Sequence, residues 1–116
     1  MATIKSFTDI SQSKKLSEIL PIESADMVYV HTTDLEGDEH YDIDLRNNQP
    51  LFEDDIAAWN LAALLGVLPK IHKLKPILDL EENSIQYSGI DLYIVADNPV
   101  DACVDMIEKL HELKML

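Results

Sequence analysis

The C-terminal segment "DNPVDACVDMIEKLHELKML" constrains the fold more than any other part of the chain. Asn98 and Pro99 near its beginning favour a helix start. The asparagine side chain can accept a hydrogen bond from a free amide of the first turn, and proline has no N–H group that would be left unpaired there. Apolar residues then recur at helical spacing. They are Val100, Cys103, Met106, Ile107, Leu110 and Leu113. A stripe of this kind must be covered, so the rest of the chain has to supply a packing surface.

A first helix is predicted in "SFTDISQSKKLSEILP" (6–21). Thr8 or Asp9 is its candidate N-cap, because either side chain can accept a hydrogen bond from the free amides of the first turn. Pro21 ends it, since proline cannot continue a helical hydrogen-bond ladder.

A second helix is predicted in "FEDDIAAWNLAALLGVLP" (52–69), with Asp54 or Asp55 as its cap. The segment has almost no polar face, so we expect it to be buried on most sides, in this core or in that of a partner. Trp59, the sole tryptophan, lies within it. Two roles stay open for this side chain: a core anchor, or a hot spot in a protein interface.

Two strands are predicted between these helices. "ADMVYVHTT" (25–33) is rich in β-forming residues, and "HYDIDLR" (40–46) alternates strictly between apolar and acidic residues. The alternation indicates a half-buried strand with Tyr41, Ile43 and Leu45 on its covered face. Gly37, which adopts positive φ without strain, predicts a hairpin turn between the two strands.

The second half of the chain adds two more strands. "ILDL" (77–80) predicts a short one, and "NSIQYSGIDLYIVA" (83–96) predicts a turn and one strand with a bend at Gly89. "IDLYIVA" is apolar on both faces, so we expect it at the centre of the sheet. The resulting order α-β-β-α-β-β-α predicts a single α+β domain over residues 1–116, with a mainly antiparallel four-stranded sheet and three helices.

The charge balance narrows the range of partners. The 116 residues include 9 Lys and Arg against 22 Asp and Glu, a formal charge of −13. This excess disfavours direct binding to nucleic acid or to an anionic membrane, both of which require a positive surface. It is compatible with a basic protein partner, divalent cations, mimicry of nucleic acid, or simply solubility.

We expect a cytoplasmic protein. The N-terminal residues lack the apolar core of a secretory leader, and no apolar run is long enough to span a bilayer. Cys103 is the only cysteine, so neither an intramolecular disulfide nor a cysteine-rich zinc site is possible.

The segment "TTDLEGDEHYDIDL" (32–45) concentrates acidic residues around Gly37. It does not match an EF-hand calcium loop, because the twelfth position counted from Thr32 is Ile43, which cannot bind a cation. We instead take the acidic residues, together with Trp59, as candidate interaction residues. They are Asp34, Glu36, Asp38 and Glu39 at the tip, and Asp42 and Asp44 along the strand.

A transition-metal site is the second possibility for this segment. His40 and Asp42 lie two residues apart on one face of a strand, and His31 could join them from the paired strand. A histidine solvated among carboxylates explains the same residues more simply. We therefore predict no metal and no cofactor, and keep His40, Asp42 and His31 as weak metal candidates.

Catalytic motifs are absent from the sequence. It contains no P-loop, GxGxxG, GxSxG or HExxH pattern. Cys103 belongs to the apolar stripe, which suits a core residue rather than a nucleophile. We therefore predict a non-enzymatic interaction protein with a protein partner or self-association. The alternatives are an acidic nucleic-acid mimic that inhibits a DNA-binding protein, and a weak metal-binding protein or small hydrolase.

Three stretches carry a resemblance to other proteins: "FTDISQSKKLSEILPIESADM" (7–27), "AWNLAALLGVLP" (58–69) and "ADNPVDACVDMIEKLHELKML" (96–116). Together they resemble a family of small uncharacterised proteins from gut anaerobes, often phage- or mobile-element-associated. The resemblance implies that genomic setting but no activity, and no functional residue can be transferred from it.

Overall fold

A computed structural model describes residues 5–47 and 49–116. Within these residues the chain is an α+β protein with three α-helices and six strands. In chain order they are α1 (Ile10–Ser17), β1 (Met27–Thr33), β2 (Glu39–Leu45), β3 (Ile56–Ala58), α2 (Leu61–Val67), β4 (Ile77–Asp79), β5 (Ser84–Tyr87), β6 (Leu92–Val95) and α3 (Pro99–Glu112). None of the described helices is long and apolar enough to cross a membrane.

The strands form two separate three-stranded antiparallel sheets. The first sheet has the order β2-β1-β3 and the second sheet the order β4-β5-β6. The predicted single four-stranded sheet in the order α-β-β-α-β-β-α is therefore wrong. Two strands were missed: β3, in a segment predicted to be helical, and β5, in a segment predicted to hold only one strand.

The strand β3 replaces the first part of the predicted second helix. Ile56–Ala58 pair with Tyr29, Val28 and Met27 of β1, so their backbone is satisfied by the sheet instead of by a helix. Asp55 does not cap a helix, because its carboxylate accepts from the amide of Phe52 at 3.0 Å. The helix α2 begins after Asn60, whose side chain accepts from the amide of Ala63 at 2.8 Å.

The predicted strand in residues 83–96 is a hairpin of two strands. Gly89, at φ +80°, lies in the connection between β5 and β6. The central strand of the second sheet is β5, and Ile85 on it is fully buried. Its neighbour β6, which was expected at the centre because it is apolar on both faces, lies at the edge and exposes Tyr93 and Val95 by more than half.

The helix caps at the two ends of the chain follow the prediction. Asp9 caps α1 in a capping box with Gln12, and Asn98 caps α3 with Pro99 in the first turn. The helix α1 is shorter than predicted, because it ends at Ser17 and Pro21 instead precedes a 3₁₀ turn at Ile22–Ser24. Leu113 lies beyond the last turn of α3 and is 46% exposed, so it is not part of the buried stripe.

The core lies around α3. This helix packs on β5 and β6 on one side and on α1 and α2 on the other. The largest fully buried side chains of the core include Trp59, Leu16, Leu64, Ile85, Met106, Ile107 and Leu110. The molecule is elongated, 54 × 34 × 23 Å, with a radius of gyration of 15.4 Å. A compact chain of this length would have about 13 Å, and the excess fits a hairpin that extends beyond the core.

Candidate functional site

The hairpin of β1 and β2 extends beyond the rest of the first sheet. The strand β3 pairs only with Met27–Tyr29, whereas β2 follows β1 through Thr33. From residue 30 to residue 42 the hairpin is therefore a two-stranded ribbon among the described residues. We call residues 30–45, which add the end of β2 opposite Met27–Tyr29, the acidic arm. The arm carries six carboxylates and no Lys or Arg. Most of its side chains are exposed.

The tip of the acidic arm is held by one of its own carboxylates. Oδ1 of Asp34 accepts from the amides of Glu36 and Asp38, both at 2.9 Å. The amide of Asp34 donates to the carbonyl of Asp38 at 2.9 Å, and Gly37 turns the chain at φ +88°. Asp34 therefore has a structural role, while Glu36 and Asp38 are exposed, and Glu39, also exposed, lies with its Oε2 3.8 Å from Nε2 of His31.

The strand pairing divides the arm into two faces. Thr32 lies opposite His40 and Val30 opposite Asp42, so these residues share the first face, which Asp44 extends. The second face carries His31 opposite Tyr41, followed by Tyr29 opposite Ile43. Tyr41 is 38% exposed and Leu45 59% exposed, so the face expected to be half-buried is largely open.

The pairing separates the metal candidates. Nε2 of His40 lies 3.4 Å from Oδ2 of Asp42, which also accepts from Oγ1 of Thr32 at 3.2 Å. His31 lies on the opposite face, where its ring tilts against Tyr41 at a centroid distance of 5.2 Å. Among the residues that the structure describes, no group of three His, Cys, Asp or Glu could hold a metal ion. The structure brings His40 and Asp42 together and leaves His31 apart.

The base of the arm is anchored by Arg46, a residue that sequence reasoning missed. Its side chain is almost buried and donates to the carbonyls of Ile22, Ala25 and Gln49. Its backbone amide donates to the carbonyl of Asp26 at 3.0 Å. No local pattern distinguishes this arginine from a solvated loop residue. The contacts depend on the tertiary fold, because they require the segment that follows α1 to pack against the Arg46 side chain.

Trp59 lies in the core and not on the surface. It is fully buried, and its Nε1 donates to Oγ of Ser24 at 2.9 Å. It precedes α2, in the segment that links β3 to that helix. It cannot contact a partner in this position, so it does not belong to an interaction surface.

A cleft of about 650 Å³ lies where α2 and α3 begin. Its wall is mixed: the apolar residues are Phe7, Met27, Leu61, Ala62, Leu80 and Pro99, and the polar residues are Lys5, Ser6, Asn60, Asn83, Asp97 and Asn98. Among the described residues, neither histidine nor cysteine lines it. The volume lies in the range of small-ligand pockets, so the chemistry of its polar groups decides whether it is a site.

The charged amine of the cleft, that of Lys5, makes hydrogen bonds within the fold. Nζ of Lys5 donates to Asp101 at 2.7 Å, to Gln12 at 2.8 Å and to Asp9 at 3.2 Å. Partial burial opposes its charge, but the hydrogen bonds to Asp101 and Asp9 prevail and raise the pKa of Lys5. The amine therefore stays protonated and is not an activated nucleophile.

Cys103 also lacks the features of a reactive thiol. It is fully buried on α3, and burial raises the pKa of its thiol to about 12. A thiolate is the nucleophilic form, so the folded chain keeps this sulfur unreactive at neutral pH. Its place on the buried stripe agrees with the role of a core residue.

Comparison with protein-family models, with curated proteins and with solved structures gives no match. The resemblance to small proteins of gut anaerobes stays a prediction. What the chain does must be inferred from its own geometry, and the acidic arm is the feature that the core does not explain.

Proposed function

We propose that this chain is a non-enzymatic interaction protein of the cytoplasm whose acidic arm binds a basic protein. One observation supports the proposal above others: the arm carries six carboxylates and no Lys or Arg, and five of the six lie in the part that extends past β3. A surface of one sign accelerates encounter with a partner of the opposite sign and discriminates against others.

Self-association through the arm is disfavoured by the same charges. Two arms placed together would bring twelve carboxylates into one interface, and like charges opposite one another destabilise a pair of strands. The arm therefore favours a partner that carries Lys and Arg.

Mimicry of nucleic acid has less support. A mimic requires its carboxylates along one surface, like the phosphates of a strand. In the arm they are divided between the tip, the first face with Asp42 and Asp44, and the second face with Glu39. A small hydrolase has less support, because no histidine accompanies the Ser6 hydroxyl among the described residues that line the cleft, and the Lys5 amine is engaged in hydrogen bonds.

The proposal is tested by neutralising the arm without disturbing its turn. The arm variant carries Glu36→Gln, Asp38→Asn, Glu39→Gln and Asp42→Asn, and it leaves Asp34 to hold the tip. The control variant makes the same change of charge elsewhere, with Glu23→Gln, Glu53→Gln, Asp54→Asn and Asp91→Asn. These four side chains are exposed.

Each immobilised protein is incubated with lysate of the source cell, and captured proteins are quantified at low and high salt. We expect wild type and control to retain one basic protein at near-equal stoichiometry, and the arm variant to lose it. High salt should weaken the capture, because exposed charges are screened. Equal capture by the arm variant, or no stoichiometric partner for wild type, would contradict the proposal.

A further inference from the structure

The hydrogen bonds at the two ends of the hairpin define which edge groups are free. The amide of Arg46 donates to the carbonyl of Asp26, and that of Asp34 donates to Asp38, both in the register of the β1–β2 pair. Hydrogen-bonded and non-bonded pairs alternate along an antiparallel ladder. Within the arm, Val30 with Asp42 and Thr32 with His40 are therefore hydrogen-bonded pairs.

The same alternation directs the other backbone groups of β2 away from β1. The amides and carbonyls of Glu39, Tyr41, Ile43 and Leu45 point to the open side, since their pairs are the non-bonded ones. The amide of Leu45 supports this assignment, because it donates to Oδ1 of its neighbour Asp44 at 2.8 Å instead of to β1. Among the described residues, β2 is an edge strand with no neighbour on that side.

This edge lacks the usual structural protection. Natural edge strands are blunted by lysine, proline, bulges or short length. The strand β2 has seven residues in continuous register with β1 and contains neither Lys nor Pro. Its protection is negative charge, which repels a second copy of this acidic chain but attracts a basic strand.

The faces of the arm specify the side chains that an added strand would present. A residue beside Asp42 or Asp44 would lie within about 5 Å of a carboxylate, which favours Lys or Arg. A residue beside Tyr41 or Ile43 would lie against an apolar side chain, which favours Val, Ile or an aromatic residue. Because successive side chains of a strand point to opposite faces, basic and apolar residues would have to alternate.

We propose that the open edge of β2 accepts, as a fourth strand, an extended segment of the partner in which Lys or Arg alternate with apolar residues. The inference rests on the proposed function and adds to it the mode of binding. Main-chain hydrogen bonds to Glu39, Tyr41 and Ile43 supply the pairing, and the acidic face selects the basic residues.

The test uses the ¹⁵N-labelled full chain at low ionic strength and a capped peptide of about nine residues that alternates Lys and Val, a length typical of a long strand. A second peptide has the same sequence with N-methyl groups on the backbone nitrogens of alternate residues. It keeps its charge but loses the backbone N–H donors along one edge of the extended peptide. We expect the first peptide to bind about tenfold more tightly, a difference of about 1.4 kcal/mol. It should also slow exchange of the amides of Glu39, Tyr41 and Ile43 but not that of Asp42.

A pair of variants tests the same edge from the protein side. Tyr41→Pro removes one outward donor and spares the ladder to β1, whereas Tyr41→Ala removes the same side chain and keeps the donor. We expect about tenfold weaker peptide binding for Tyr41→Pro than for Tyr41→Ala. If Tyr41→Pro does not fold, the comparison of the two peptides decides the question alone.

The outcomes separate the two proposals. Equal affinity of the two peptides would overturn strand addition but leave an electrostatic arm in place. Failure of the unmethylated peptide to bind would overturn strand addition too, and capture of a partner from lysate would still test the arm independently. Protection of α3 amides instead of β2 amides would place the peptide elsewhere and contradict the inference.

Discussion

The two sheets have the same number of strands and the same antiparallel pairing, yet only the second is covered along its length. In the second sheet Ile85, Tyr87 and Leu92 are buried on the side that α3 packs against. In the first sheet β3 ends after three residues, and β2 has no fully buried position. A strand is therefore buried where another element is long enough to cover it, and the uncovered part of this molecule is also its most acidic hairpin.

We expect the largest difference in stability between the two regions from a cavity in the core. Ile107→Ala removes a fully buried side chain of α3, and substitutions of this kind cost roughly 2–5 kcal/mol of unfolding free energy. Leu45→Ala on the arm removes a side chain that is 59% exposed, and we expect a change within about 0.5 kcal/mol. Urea denaturation measures both, and similar losses for the two variants would show that the arm is as integral as the core.

The helix α3 was predictable because its signals are local. Asn98 and Pro99 define its start, and Val100 through Leu110 repeat at its period. Leu113 shares that period but follows the last turn, so spacing alone placed it wrongly. Local signals suffice where caps and periodicity agree.

The strand β3 was not predictable from the same signals. Ile56–Ala58 continue the apolar composition of α2, and alanine favours a helix. What makes them a strand is pairing with Met27–Tyr29, about thirty residues earlier in the chain. Tertiary pairing overrides local propensity here. The arm shows the same limit, since the alternation of Tyr41, Ile43 and Leu45 predicted the face but not that the described part of the chain would leave it largely open.

A second test addresses the charged network that joins the starts of α1 and α3. Asp101 accepts from Lys5 at 2.7 Å, from Gln12 at 2.8 Å and from Asn98 at 2.9 Å. Partial burial opposes its ionisation, but these hydrogen bonds prevail and lower the pKa of Asp101 below its usual 3.8. A lowered folded-state pKa adds stability that is present above 3.8 and is lost as pH falls through the folded-state value.

Asp101→Asn should therefore destabilise the chain at pH 7 by roughly 1 kcal/mol, a low figure for a charged hydrogen bond because solvent screens the partly exposed carboxylate. The difference from wild type should shrink as pH falls below 3.8. Urea denaturation across this range measures it, with the exposed Asp91→Asn as control at pH 7. A difference that stays constant with pH would mean that packing, and not charge, links the two helices.

The smallest expected effects come from two glycines, one in each region. Gly66 lies in α2, and an added Cβ would meet nothing within 4 Å. Gly66→Ala should therefore stabilise the fold by about 0.5–1 kcal/mol, because alanine favours the helix and restricts the unfolded chain. Gly37 has equal space, but its φ of +88° strains any residue with a Cβ.

Gly37→Ala should cost about 1 kcal/mol within the arm but less in global unfolding, because a loosely attached hairpin opens locally before the core unfolds. Amide exchange distinguishes the two quantities: the hydrogen-bonded tip amides of Asp34 and Asp38 should exchange faster in Gly37→Ala, while those of α3 should be unchanged. Faster exchange throughout, including the amides of α3, in proportion to the stability lost at residue 37, would instead show that arm and core unfold as one unit.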